Sequence, residues 1–156
     1  DWGIIPLFTK TLASFGFNVI PFNFSHNGGT AAEPVDFSDL DAFAKNTISK
    51  EVDDVNAVYG WLRSDQNLAK DKMDFSKTFL IGHSRGGGVA VLAAHEDKRI
   101  KKLVCWAPVA DLINRFSSNQ LKEWKEKGVM YIPNARTKGQ KEGLGRCFVL
   151  GSISGW

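Results

Sequence analysis

Five residues constrain this chain more than any others: Gly82-His83-Ser84-Arg85-Gly86. An apolar run, Thr78-Phe79-Leu80-Ile81, leads in, and a small-residue stretch, Gly87-Gly88-Val89-Ala90-Val91-Leu92-Ala93-Ala94, leads out. The first reads as a strand and the second as a helix. A serine between them, on a G-x-S-x-G turn, projects its Oγ from a sharp and strained bend. A Cβ two positions to either side would crowd that bend, so Gly82 and Gly86 are expected to serve by lacking one. Gly87 and Gly88 are expected to let the helix begin close against the strand. Arg85 opens the helix, so its backbone N–H points from a helix N-terminus at the place where an oxyanion would form. Ser84 is the candidate nucleophile and Arg85 the candidate oxyanion donor. Gly82, His83, Gly86 and Gly87 form the frame of the turn. The competing reading is a glycine-rich strand-to-helix turn that binds nothing.

The surrounding pattern predicts an α/β protein. Ile4, Phe8, Leu12 and Phe15 recur on one helical face; Pro6 is tolerated in a first turn and Gly16 suits a helix end. Phe17 to Phe24 reads as a strand, with Pro21 placing it at an edge. Ser25 to Thr30 is a loop at that strand's C-terminal end, the ligand side of an open parallel sheet. A short helix is expected within Phe37 to Phe43. From Thr47, the residues Ile48, Val52, Val55, Val58/Tyr59 and Leu62 form an apolar stripe, leaving Asp53 and Asp54 in solvent. Asn67 to Ser76 is a polar connection. After the turn, Leu103 to Ala107 is a further strand, buried, with Cys105 as a small core residue. Strands alternating with helices imply right-handed βαβ units and a mostly parallel sheet. Beyond Asp111, an N-cap candidate for the next helix, Gln120 to Lys127 reads helical and Gly128 to Pro133 extended.

Serine chemistry needs a base and a group to orient it. His83 adjoins Ser84, but its side chain must point away from Oγ. His95 sits down the following helix, roughly 16 Å away at the α-helical rise. His26, with Asn27, lies in the loop after the Phe17–Phe24 strand and reads as a pocket wall rather than a base. Asp111 follows a strand end, where a triad acid could stand. None of the three histidines is a convincing base.

Composition excludes other classes. No apolar run is long enough for a membrane-spanning helix, and no membrane partner is expected. The net charge of +3 splits unevenly: residues 1–96 carry 8 Lys/Arg and 12 Asp/Glu, whereas residues 97–156 carry 12 and 5. The basic half lacks interleaved aromatics, so it reads as a solvated face and no nucleic-acid partner is expected. No phosphate loop and no metal-ligand spacing is present, so neither cofactor nor metal is expected. The tryptophans at 2, 61, 106, 124 and 156 read mostly as core positions. Cys105 and Cys147 give no disulfide framework, and cytoplasmic surroundings are expected. The first residue is Asp1 rather than Met, which leaves room for an upstream targeting segment.

Four stretches together resemble a known family: Asp1-Trp2-Gly3, Phe22 to Gly28, Gly82 to Gly88, and Trp106-Ala107-Pro108-Val109-Ala110-Asp111. They look like bacterial α/β-hydrolase-fold proteins of the dienelactone-hydrolase and serine-aminopeptidase-like group, from Asp1 to about Lys138. The resemblance implies a partial α/β-hydrolase core over 1–110, the start of a helical cap over 111–138, and a tail over 139–156 unlike the family, as a shifted reading frame would produce. It implies a Ser-Asp-His triad in that chain order, with Ser84 as nucleophile, acting on a small-molecule acyl substrate, most simply an ester. The second oxyanion donor, the acid and the histidine would lie outside these residues. The alternative is a non-catalytic fragment that binds a ligand or partner, or the product of a decayed gene. Oligomeric state is not indicated. In the intact family sheet a further strand separates the Phe17–Phe24 strand from the elbow strand. Without it the two flanking strands must pair directly or keep open inner edges, so this chain alone is expected to fold poorly. A cooperative thermal transition of the 156-residue protein would contradict that.

Overall fold

The computed structural model describes residues 4–33, 38–111, 116–133 and 141–145. The chain runs α1 (Ile5–Ser14), α2 (Leu40–Ala44) and α3 (Ile48–Arg63), then two single 3₁₀ turns. Next come β1 (Phe79–His83), α4 (Arg85–Glu96), β2 (Lys102–Trp106), α5 (Ser118–Lys127), β3 (Val129–Pro133) and β4 (Lys141–Gly145). Trp2 and Trp156 lie outside the described residues.

Local chemistry accounts for most boundaries. Pro6 lies in the first turn of α1, and Gly16 follows the helix at φ +86°. Thr47 caps α3 by accepting the Lys50 N–H at 3.0 Å. Ser117 and Gln120 form a reciprocal capping box on α5. Ser117 thus takes the capping role that the sequence pattern offered to Asp111.

β1 and β2 pair in parallel, Phe79 opposite Lys102 through His83 opposite Trp106, with α4 as the crossover. Ile48, Val52 and Val55 of α3 interlock with Val89 and Ala93 of α4, and Phe24, Leu80, Leu92 and Ile100 close over them. Each fully buried Ile or Val among them contributes roughly 1.5–3 kcal/mol relative to exposure. A second cluster forms around Trp124, only 1% exposed, against Phe43, Phe116, Leu121 and Met130. There β3 and β4 pair antiparallel, a ribbon that the sequence pattern did not suggest.

Several expectations need correction. Phe17 to Phe24 forms no strand; among the described residues β1 pairs only with β2. Ladder bonds make a strand, and no described segment bridges the two. The Phe17 ring packs edge-on against Phe79 at 5.9 Å, and the Asn18 amide donates to the Lys72 carbonyl at 3.4 Å. The strand that does pair with β1, β2, is not buried as expected. Ile81, Val104 and Trp106, with Phe79, stay exposed on the face away from α4. Cys105, on the other face, is half-buried with Sγ 3.7 Å from the Gly87 carbonyl. Trp61 and Trp106 are exposed, so of the described tryptophans only Trp124 is core. Asp54 is half-buried rather than solvated: it accepts the Ser25 N–H at 2.8 Å and ties the 25–30 loop to α3. No described helix is long and apolar enough to cross a membrane.

Candidate active site

The turn between β1 and α4 has the strain that the G-x-S-x-G pattern implies. Ser84 sits at φ 54°, ψ −121°, the N-cap of α4, with an exposed side chain. A non-glycine residue with positive φ persists only where its surroundings over-determine it. Here the surroundings are the end of β2. The Ser84 N–H donates to the Trp106 carbonyl at 3.0 Å, and the Ser84 carbonyl accepts from Val109 N–H at 2.9 Å and Gly87 N–H at 3.0 Å. Ala107, between those partners, is itself at φ 43°. Two strained residues at the ends of adjacent parallel strands therefore brace each other.

The glycines divide the work unequally. A Cβ on Gly82 would lie 2.3 Å from the Gly86 carbonyl oxygen and 2.7 Å from the Gly87 Cα. A Cβ on Gly87 would lie 2.8 Å from Pro108 Cβ, so α4 does start pressed against the segment after β2. A Cβ on Gly86 would meet nothing within 4 Å. Its expected role is corrected: its backbone, not its missing side chain, fills the turn beneath Gly82.

Arg85 is the first residue of α4, the position from which an N–H can face an oxyanion. Its side chain turns to α3. Nε donates to both oxygens of Glu51, at 2.8 and 3.0 Å. Glu51 is only 1% exposed and also accepts from the Asn46 amide at 2.7 Å. The sequence reading missed both residues. A signal was available: Glu51 occupies the i+3 place in the apolar stripe Ile48, Val52, Val55, where a carboxylate must find a buried partner.

The histidines are occupied elsewhere. The His83 ring lies 5.1 Å from the Trp106 ring, on the sheet face away from α4. His26 is half-buried; Ser25 Oγ lies 2.7 Å from its Nδ1 and Lys50 Nζ 3.3 Å from its Nε2. Both ring nitrogens of His26 are therefore engaged. Asn27 uses its side-chain oxygen to accept the Gly29 N–H at 2.9 Å, shaping the loop. His95 is in the last turn of α4. The structure therefore brings Ser84, Arg85, Glu51, Asn46 and the 106–109 segment together. It does not bring a histidine to Ser84 Oγ among the described residues. Among the described residues no group of three or more His, Cys, Asp or Glu side chains is placed to hold a metal ion.

Comparison with known proteins bears on this arrangement. Residues 44–141, well over half the chain, match the α/β-hydrolase fold family. A solved structure from Agrobacterium vitis S4, provisionally named a hydrolase, superposes with a TM-score of 0.50 at 22% identity. The match covers 69% of this chain and 41% of that one, so this chain spans about two fifths of that structure. No curated protein matches the chain.

Proposed function

This chain belongs to the α/β-hydrolase fold family, and from that premise we propose that it carries the nucleophile of a serine hydrolase. The observation that carries the reading is the backbone of Ser84: a non-glycine residue at φ 54°, ψ −121°, exposed, braced between a strand and a helix N-terminus. Backbone strain of that kind clusters at functional sites. Ser84 Oγ attacks the carbonyl carbon of a small acyl substrate, most simply an ester. Its proton passes to a base, by family resemblance a histidine following later strands of the fold. The carbonyl electron pair moves to oxygen, and the Arg85 N–H supports that charge. Collapse expels the alcohol, which takes the proton from the base, and water then hydrolyses the acyl-serine.

Labelling with a fluorophosphonate tests the reading, because an activated serine reacts and an ordinary hydroxyl does not. Labelling of the wild type that disappears in Ser84→Ala is expected. A wild type that does not label refutes the reading for this chain. That second result favours a non-catalytic binding role, a reading supported by one feature: the ring nitrogens of His26 and the ring face of His83 are already engaged.

A further inference from the structure

We propose that Glu51 is a positioning residue for the Ser84 elbow, acting through the Arg85 guanidinium; the proposal rests on the reading of Ser84 as a nucleophile. Glu51 lies on α3, 34 residues before Arg85 in sequence. Its carboxylate is sealed from solvent among Ile48, Val52 and Val55, and three N–H···O contacts hold it, two from Arg85 Nε and one from Asn46. Packing of α3 on α4 does not require a charge there. A hydrophobic side chain of similar volume commonly serves as well or better, because a buried ion pair must offset the desolvation of two ions. What the carboxylate adds is direction.

The direction acts on the residue next to the nucleophile. Arg85 is the first residue of α4, and its N–H is the candidate oxyanion donor. The end of β2 already holds the Ser84 backbone from the sheet side through Trp106 and Val109. Glu51 holds the helix side. Together they fix the rotation of the first turn of α4 about its own axis. That rotation decides where the Arg85 N–H points relative to Ser84 Oγ. Asn46, just before the Thr47 cap of α3, fixes the carboxylate in turn.

Glu51→Gln is the informative variant. It keeps an amide oxygen able to accept from Nε of Arg85, whose side chain is 28% exposed, and it leaves no buried unpaired carboxylate. The test compares wild type, Glu51→Gln and the double variant Glu51→Gln/Arg85→Gln. Two readouts are taken: fluorophosphonate inactivation kinetics and backbone amide NMR spectra. Misplacement by about 1 Å can lower reactivity roughly 100-fold. The expected result is therefore a fall of about 10- to 100-fold in the limiting inactivation rate of Glu51→Gln. The half-saturating reagent concentration stays unchanged, and amide shifts are confined to residues 84–88 and the start of α3. The double variant, neutral at both positions and still bearing the Arg85 backbone N–H, folds but remains slow. A double variant that labels at the wild-type rate overturns the proposal, because the pair is then merely structural. So does a Glu51→Gln protein with unchanged elbow amides. If wild type does not label, the nucleophile reading fails separately, and the amide shifts alone decide whether Glu51 positions the turn. If Glu51→Gln alone does not fold, the double variant decides in the same way.

Discussion

Two glycines flank Ser84 at equal distance in sequence, yet the structure assigns them opposite sensitivities. In Gly82→Ala the new Cβ would lie 2.3 Å from the Gly86 carbonyl oxygen, 2.7 Å from the Gly86 carbonyl carbon and 2.7 Å from the Gly87 Cα. All three are backbone atoms, so no rotamer change relieves the contact, and the turn must open by about 1 Å. Overpacking against an unyielding backbone costs about 3 kcal/mol or more, at the severe end of single substitutions. In Gly86→Ala the new Cβ meets nothing within 4 Å, and Gly86 lies in the first turn of α4. Alanine there gains up to about 1 kcal/mol through the lower backbone entropy of the unfolded chain. Urea titration followed by tryptophan fluorescence measures both variants. Gly82→Ala is expected to lower the midpoint strongly, and Gly86→Ala to leave it equal or raise it slightly. Where the wild type unfolds cooperatively, against the poor folding expected of this chain alone, the loss in the first variant corresponds to roughly 6–12 °C in Tm. Equal destabilisation by the two variants, or a larger loss in Gly86→Ala, would refute the geometry assigned to the elbow.

Two further outcomes follow from packing and charge. Trp124→Ala removes the only fully buried ring described in the chain, and should cost about 3–5 kcal/mol. Hydrogen exchange should show the loss concentrated in α5 and β3, with the α3–α4 amides little changed. Asp97 is held below the usual carboxylate range, first by side-chain hydrogen bonds from Arg99 Nε and Nη2. A carboxyl whose folded value is depressed stabilises the fold above its unfolded value, and that contribution is lost as the pH falls through the folded value. Arg99 is half exposed, so the contribution is no more than about 1 kcal/mol. Asp97→Asn should therefore be slightly less stable than wild type at pH 7, and the gap should begin to narrow as the pH falls below about 4. A gap that does not narrow on acidification would show that the ion pair is not its cause.

The elbow was legible in the sequence because every part of it is local. Its strand, turn and helix span Phe79 to Glu96, and the glycine at 82 answers to the backbone of Gly86 and Gly87 a few positions on. The α3 stripe was legible for the same reason, since helical periodicity is a property of a short window. What escaped depended on contacts between distant segments. Phe17 to Phe24 has the composition of a strand, but composition does not supply ladder partners. Gly86 looked equivalent to Gly82 because motif spacing carries no information about which neighbour's backbone fills the turn. Glu51 could have been singled out as a carboxylate in an apolar stripe, but its partner, Arg85, is visible only once α3 and α4 are packed. Trp61 and Trp106 read as core because large aromatics usually are buried, whereas their exposure depends on what covers that face.

The shape of the nucleophile turn and its reactivity have different requirements. Three constraints define the shape: the carbonyl of Gly86 under Gly82, the hydrogen bonds from Ser84 to the end of β2, and the Glu51–Arg85 pair. All three are present with a sheet of two strands. Reactivity asks for more, because a serine hydroxyl at neutral pH is a poor nucleophile without a base within hydrogen-bond reach. Preorganised donors can still support an oxyanion in the absence of a complete triad, and they retain a residual part of the catalytic effect. If the proposed role of Ser84 holds, its rate of labelling by a fluorophosphonate therefore measures how far the braced turn and the helix N-terminus activate a serine by themselves. The pH dependence of that rate separates the two contributions. A plateau through pH 5–8 would mean that the turn alone sets the reactivity. A rise centred near the ordinary histidine range, pH ~6.5, would mean that an imidazole reaches Ser84 after all.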